Sequence, residues 1–360
     1  MSKNHMNRSG LLIAGNWIVD QVKLIDKFPA EQALANILHE YTSNGGSAYN
    51  ILMDLTKLEA PFPLEAIGLV GNDFNGVRIV DHCREAGIDV RQLQMTPGAS
   101  TSYTIVTSVK HTGKRTFFHH RGANSLLDID HFDFRISNAK IFHLGYLLLL
   151  DRLDEIQQNG RTKASLVLEH AQAEGLLTSV DLVSEDSDRF TTIIPCTLPY
   201  VDYLFLNEYE ASRLSGIDLM EVTDQEEMGK RCKDVFKVIF QMGVNAWIII
   251  HHPDGVWASH RDGRQLFQPS LQLPQEDVIG ANGAGDALAA GVLLGVHEGW
   301  DMESCLDLGV CAAAASLSHV TCSDGVLPHR ECLALANLYG YRNNTGRDTN
   351  VAIKMENRVV

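Results

Sequence analysis

The stretch GANGAGDALAAG, residues 280–291, carries a single ionisable side chain, Asp286, in a run rich in glycine and alanine. From Gly283 onward the residues read as a helix over Gly283–His297. At such a start the backbone N–H groups of Gly283, Ala284 and Gly285 converge with no side chain in the way, and the helix dipole adds partial positive charge. The result is a phosphoryl-binding site built without a basic residue. A carboxylate beside it is placed to take the proton of an attacking hydroxyl. A second reading stands next to this one: small residues also allow close helix packing, and Asp286 also suits an N-terminal cap.

Outward from this helix, short apolar runs alternate with amphipathic segments. Leu11–Gly15, Ala66–Gly71, Lys140–Leu148, Leu176–Val183, Asp202–Asn207 and Ala246–Ile250 read as buried strands. Helical patterns cover Ala48–Leu58, Gly76–Ala86, Asp151–Glu174, Gln225–Met242 and Glu303–Leu317. This alternation predicts an α/β fold with a mainly parallel sheet and helices on both faces. Ile18–Phe28 and Ser100–His120 break the rhythm as extended segments, the second turning at KHTGK, and predict a small β flap over one edge. The polar, unpatterned segment 341–360 is expected to be a loose or partner-bound appendage.

Composition narrows the function. The 360 residues are 45% hydrophobic and 21% charged, as expected of a soluble globular protein. A formal net charge of −15 repels polyphosphate backbones, which argues against nucleic acid as a partner. No apolar run is long enough to cross a bilayer, and the N-terminal segment lacks the pattern of a secretory signal. Seven cysteines without a CxxC pair or zinc-like spacing point to reduced thiols and a cytoplasmic setting. The pairs His119-His120 and His251-His252 form no metal cage, because neighbours on a strand point to opposite faces.

Further pieces occur in order along the chain. Gly45, Gly46 and Asn50 precede Gly71, Asp73 and Gly76, then Gly87-Ile88-Asp89; NEYE spans Asn207–Glu210, and GANGAGDA follows. GNWIVD (Gly15–Asp20) and RTFFHHRGAN (Arg115–Asn124) fall between them. Together these resemble the ribokinase-like, or PfkB, family of carbohydrate kinases, over roughly Leu11 to Pro328. The resemblance implies a ribokinase-like three-layer αβα sandwich spanning about 11–330, with lid strands from about 16–40 and 99–121. It implies Asp286 as general base and the amides of Gly283, Ala284 and Gly285 as an anion hole. It further implies Asp20, Gly46, Asn50 and Asn124 on sugar hydroxyls. Asn207 and Glu210 would position hydrated Mg²⁺ and phosphate, Glu210 through water, with His252 and Gly255 beside ATP. A homodimer through the lid is compatible with this pattern.

Bland readings of the same residues remain open: Asn207 and Glu210 have capping-box spacing, Gly45-Gly46 suits an ordinary turn, and Asp20 suits a solvent-facing strand position. Two departures from the family pattern matter. Its usual Asp-Thr opening is Gly280-Ala281 here, which places K⁺ activation in doubt; the first glycine of its G-x-x-G turn is His252, which bears on the fit of ATP. The expectation is an ATP-dependent kinase for a small sugar or related polyol. A nucleoside kinase and a non-catalytic sugar sensor are the alternatives. Arg121 is a candidate for selecting an acidic sugar.

Overall fold

Residue alternation on the first strand sets the layering. In Leu11–Gly15 (β1), Leu11 and Ile13 enter one hydrophobic core while Leu12 and Ala14 enter another, so both faces of the strand are covered. The computed structural model describes residues 8–280, 283–319 and 321–342. Ala281 and the appendage beyond Arg342 lie outside the described residues.

The strands in chain order are β1, β2 (Ile18–Ile25), β3 (Ile37–Gly45), β4 (Leu64–Gly71), β5 (Asp89–Thr96), β6 (Ser102–Val109), β7 (Arg115–His120), β8 (Ile141–Leu147), β9 (Leu177–Leu182), β10 (Tyr203–Asn207), β11 (Trp247–His252), β12 (Gly255–His260) and β13 (Gln265–Pro269). Nine of them form one sheet in the order β13-β12-β11-β10-β9-β8-β1-β4-β5. Every pair from β5 to β11 is parallel, and β12 and β13 close that edge as an antiparallel meander. The helices are α1 (Ser47–Lys57), α2 (Phe74–Glu85), α3 (Lys163–Ala173), α4 (Arg189–Thr192), α5 (Ile194–Thr197), α6 (Glu208–Ser215), α7 (Gln225–Gln241), α8 (Ala284–Glu298), α9 (Met302–Ser316) and α10 (His329–Tyr339). Residues of α1, α2, α8, α9 and α10 share one core, and those of α3, α6 and α7 share the other. The layers are those of an αβα sandwich.

A separate four-stranded sheet, ordered β3-β2-β6-β7, is the expected flap. It is assembled from two excursions, because β2 runs antiparallel to β3 but parallel to β6, which returns through β7. A small knot fixes where the second excursion leaves. Asp73 caps α2 by accepting from Gly76 N–H at 2.9 Å, and also takes the Thr101 N–H and hydroxyl, each at 2.7 Å.

One element is shorter than the sequence pattern implies. The helix expected over Asp151–Glu174 begins only at Lys163. Gly160 adopts φ +78, and Thr162 then caps the helix by accepting the Ser165 N–H at 3.0 Å. Apolar residues such as Leu153 are buried there by turns rather than by a helix.

Candidate active site

The chain reverses its progress across the sheet at β1: it moves outward to β4 and β5, then returns to place β8 on the other flank of β1. Open α/β sheets bind ligands at such a switch point, beyond the carboxyl ends of the strands. Here Gly15 and Gly145 are register partners, and a Cβ on Gly15 would lie 1.6 Å from the Gly145 carbonyl oxygen. Only this glycine pairing lets the two strand ends close up and send Trp17 and Tyr146 onward.

Gly283 caps α8 with φ +80 and no side-chain cap. A Cβ there would sit 2.6 Å from Cys322 Cβ, so the loop after α9 is pressed against the glycine. The first helical bond runs from Ala287 N–H to the Gly283 carbonyl at 2.9 Å, so the amides before it have no intrahelical partner. Asp286 does not cap the helix. Its carboxylate accepts from Asn50 Nδ2 at 2.8 Å and from the Tyr146 hydroxyl at 2.9 Å on Oδ1 and 2.8 Å on Oδ2. The alternative reading of the small residues holds further along: a Cβ on Gly291 would meet Gly309 Cα at 2.9 Å, so the body of α8 is glycine-packed against α9.

Acids gather around this carboxylate. Asp286 is 5% exposed, and its pKa is pushed up to about 7 by burial and then by the charge of Asp181, against the pull of Asn50 and Tyr146. Asp20 on β2 is pushed up to about 6 by burial, with Thr104 opposing. A Cβ on Gly45 would lie 2.2 Å from Asp20 Oδ2, so that glycine makes room for the carboxylate. Gly46 caps α1 at φ +90, with its absent Cβ 2.4 Å from the Asn16 carbonyl oxygen. Asp181, on β9, accepts the Ser47 hydroxyl at 2.9 Å and lies 3.4 Å from His143 Nε2, which is held in turn by Ser179.

Other expected residues are engaged with partners inside the protein. Asn124 is fully buried, and both ends of its amide bond the backbone of Trp17, each at 3.2 Å, so it ties the chain after β1 and is not turned to a ligand. Asn207 and Glu210 form the capping box of α6, with Glu210 N–H to Asn207 Oδ1 at 2.8 Å and Asn207 N–H to Glu210 Oε2 at 3.0 Å. Glu210 also takes the Ser184 hydroxyl at 2.9 Å, and burial pushes its carboxyl up to about 8. His252 and Gly255 pair across the two-residue turn Pro253-Asp254, and His252 faces a small cavity of about 200 Å³ with Met228, Trp257 and Arg342. His251, the register partner of Asn207, is the histidine at the glycine loop: its ring lies 3.2 Å from where a Gly285 Cβ would be. Burial lowers its pKa to about 4, which leaves a neutral imidazole there. Arg121 is bound to the Leu148 carbonyl at 2.8 Å and to Asp151 at 2.7 Å.

Sequence reasoning passed over Tyr146 and Asp181, and weighed His251 only with His252 as metal ligands. Tyr146 and Asp181 lie in ordinary strand patterns, and only the two-faced alternation of β11 separates His251 from His252. Among the described residues no group of three or more His, Cys, Asp or Glu side chains is arranged to hold a metal ion, and no helix is long and apolar enough to cross a membrane.

A mainly parallel sheet with a β flap at its switch point, and a glycine-opened helix carrying a buried acid in its first turn, define the ribokinase-like class of α/β proteins. Comparison agrees: residues 12–330 match the pfkB family carbohydrate kinases. Adenosine kinase 1 of Arabidopsis thaliana is 24% identical over 292 residues, covering 79% of this chain and 80% of that protein. The 5-dehydro-2-deoxygluconokinase of Clostridium perfringens is 26% identical over 288 residues, covering 78% and 80%. The structure of Arabidopsis thaliana ribokinase complexed with ribose and ATP superposes with a TM-score of 0.70 at 19% identity, covering 91% of this chain and 98% of that one. The chain belongs to the PfkB family of carbohydrate kinases and is a phosphotransferase with an alcohol group as acceptor.

Proposed function

We propose that this protein transfers the γ-phosphoryl group of ATP to a hydroxyl of a small carbohydrate, with Asp286 as general base. The observation that carries the reading is the Asp286 carboxylate, buried within the first turn of α8 and raised toward neutral pH. A base that titrates near the working pH accepts a proton most effectively. The amides of Gly283, Ala284 and Gly285 receive charge on the transferred group. Asp20, Gly46 and Asn50 hold acceptor hydroxyls at the switch point. The neutral His251 ring lines the phosphoryl side, and His252 and Gly255 flank the turn beside ATP.

Mg²⁺ fits only at a distance. Both Glu210 oxygens already accept protein donors, so Asn207 and Glu210 would hold the ion through water, with the metal arriving on the nucleotide and neutralising its phosphates. Seven free cysteines suit a reducing cytoplasm. The lid offers a homodimer surface, with Phe117 at 58% and Phe118 at 52% exposure on β7 and Ile37 at 51% on β3.

The adenosine kinase relative supports a second reading, a nucleoside acceptor presenting a ribose hydroxyl to the same base. The deciding assay incubates the protein with ATP and Mg²⁺ across sugars, acidic sugars and nucleosides, with and without K⁺. Turnover confined to one class selects the acceptor. Sugar binding with no turnover and no ATP binding, read by calorimetry, overturns the kinase reading in favour of a sensor.

A further inference from the structure

The proton that Asp286 must take and release is governed by a side chain that no motif marks. Tyr146 reaches the base from β8. Its backbone is pinned, since Tyr146 N–H donates to the Asn16 side chain and Asn16 N–H donates to the Gly145 carbonyl at 2.8 Å. The preceding position accepts no side chain: a Cβ on Gly145 would lie 1.6 Å from Asp181 Oδ1 and 2.3 Å from Ser47 Oγ. The phenol therefore starts from a fixed point and ends on the carboxylate.

Resting on the kinase reading above, we infer that Tyr146 is the positioning residue of the base. Its hydroxyl holds the Asp286 carboxylate in one orientation and leaves Oδ1 to receive the acceptor alcohol. The division of donors supports this. Oδ2 takes both Asn50 Nδ2 and the phenol, whereas the phenol alone reaches Oδ1, which keeps lone-pair capacity. In the transfer the alcohol proton passes to Oδ1 as the new oxygen–phosphorus bond forms. The bond from the γ-phosphorus to the bridging oxygen breaks, and ADP departs with that electron pair. Tyr146 keeps its own proton throughout: burial and the charges of Asp286 and Asp181 hold its ionisation well above the usual tyrosine range.

The titratable groups facing Asp286 act against its charge. Asp181 comes from β9, Asp20 from the lid, Asp54 from α1 and Cys322 from the loop after α9. His143 stands behind Asp181. Asn50 and Tyr146 are the donors opposing these acids, so removing the phenol raises the proton affinity of the base.

The test is Tyr146→Phe in the full chain beside wild type and Asp286→Asn. The Asp286 carboxyl is followed by carbon-13 NMR titration, assigned by its loss in D286N. With whichever acceptor the panel identifies, Y146F should cut kcat at neutral pH by about tenfold while KM changes little, and should move the acid limb of the kcat profile to higher pH. The NMR midpoint should move the same way. An unchanged midpoint with an unchanged acid limb, or an effect on KM alone, overturns the inference. If Y146F does not fold, uniform 3-fluorotyrosine labelling makes the phenol a stronger donor with every side chain retained; it should shift the midpoint to lower pH, and no shift overturns the inference. A moved midpoint in a protein that phosphorylates nothing refutes the kinase reading while leaving the phenol's hold on the carboxylate demonstrated.

Discussion

Asp286→Asn is expected to trade activity for pH-dependent stability. The wild-type carboxyl has a pKa of about 7 in the fold against 3.8 for the free side chain. Below pH 3.8 it is protonated in both states and contributes no pH-dependent difference. Above that value the unfolded chain ionises first, so folding loses stability as pH rises, and the loss is complete once the folded carboxyl ionises near 7. At ~1.4 kcal/mol per pH unit, the two units from pH 5 to about 7 correspond to ~2–3 kcal/mol. Asparagine cannot titrate, so the stability of D286N relative to wild type should grow by about that amount between pH 5 and pH 8. The fixed cost of turning an amide N–H₂ toward Asn50 is the same at every pH and cancels from this comparison. Urea unfolding of both proteins at pH 5, 6, 7 and 8 reads the difference directly. Phosphoryl transfer should fall by ~10²–10⁴ in the same variant. Parallel stability profiles for the two proteins over this range would refute the reasoning, because an ionising carboxylate buried among acids cannot be free of cost.

Further outcomes follow from packing. Gly283→Ala puts a side chain at φ +80 and against Cys322; strain of ~1–2 kcal/mol and a displaced α8 start should depress kcat at 25 °C more than acceptor binding measured by calorimetry. Gly291→Leu forces α8 and α9 apart at Gly309 and should lower the urea midpoint by an amount worth ~1–3 kcal/mol; an unchanged midpoint would refute the packing argument. Phe117→Glu with Phe118→Glu should leave the monomer folded by circular dichroism and halve the mass seen by light scattering; a wild-type protein already monomeric refutes the lid interface.

Much of this architecture was legible because its signals are local. The buried strands β1, β4, β8, β9, β10 and β11 read as apolar runs, and β6 and β7 as a hairpin. The meander β12–β13 escaped notice because Gly255–His260 mixes Trp, Ala and Ser without a clean alternation. Strand β3 is largely exposed up to its buried last residue, so Ile37–Gly45 carries no apolar alternation to mark it. The overlong helix before Lys163 reflects apolar residues whose burial comes from turns. At the site, Asp286 and the small residues 283–285 could be read from the stretch itself, whereas Gly46 and Asn50 were implied by the family resemblance. Asn124 did not reveal that its amide is spent on Trp17, since a side chain's partner 107 positions away leaves no trace in the local pattern. Tyr146 and Asp181 became visible only when the sheet set β8 between β1 and β9.

The two excursions that make the flap have a consequence for how such a protein diversifies. β2 and β3 depart after β1 and rejoin at α1, while β6 and β7 depart after β5 and rejoin ahead of β8. Lengthening or redrawing either loop leaves the register of the nine-stranded platform and the α8–α9 seam untouched. The nine-stranded platform can thus stay fixed while the flap over its switch point is rewritten.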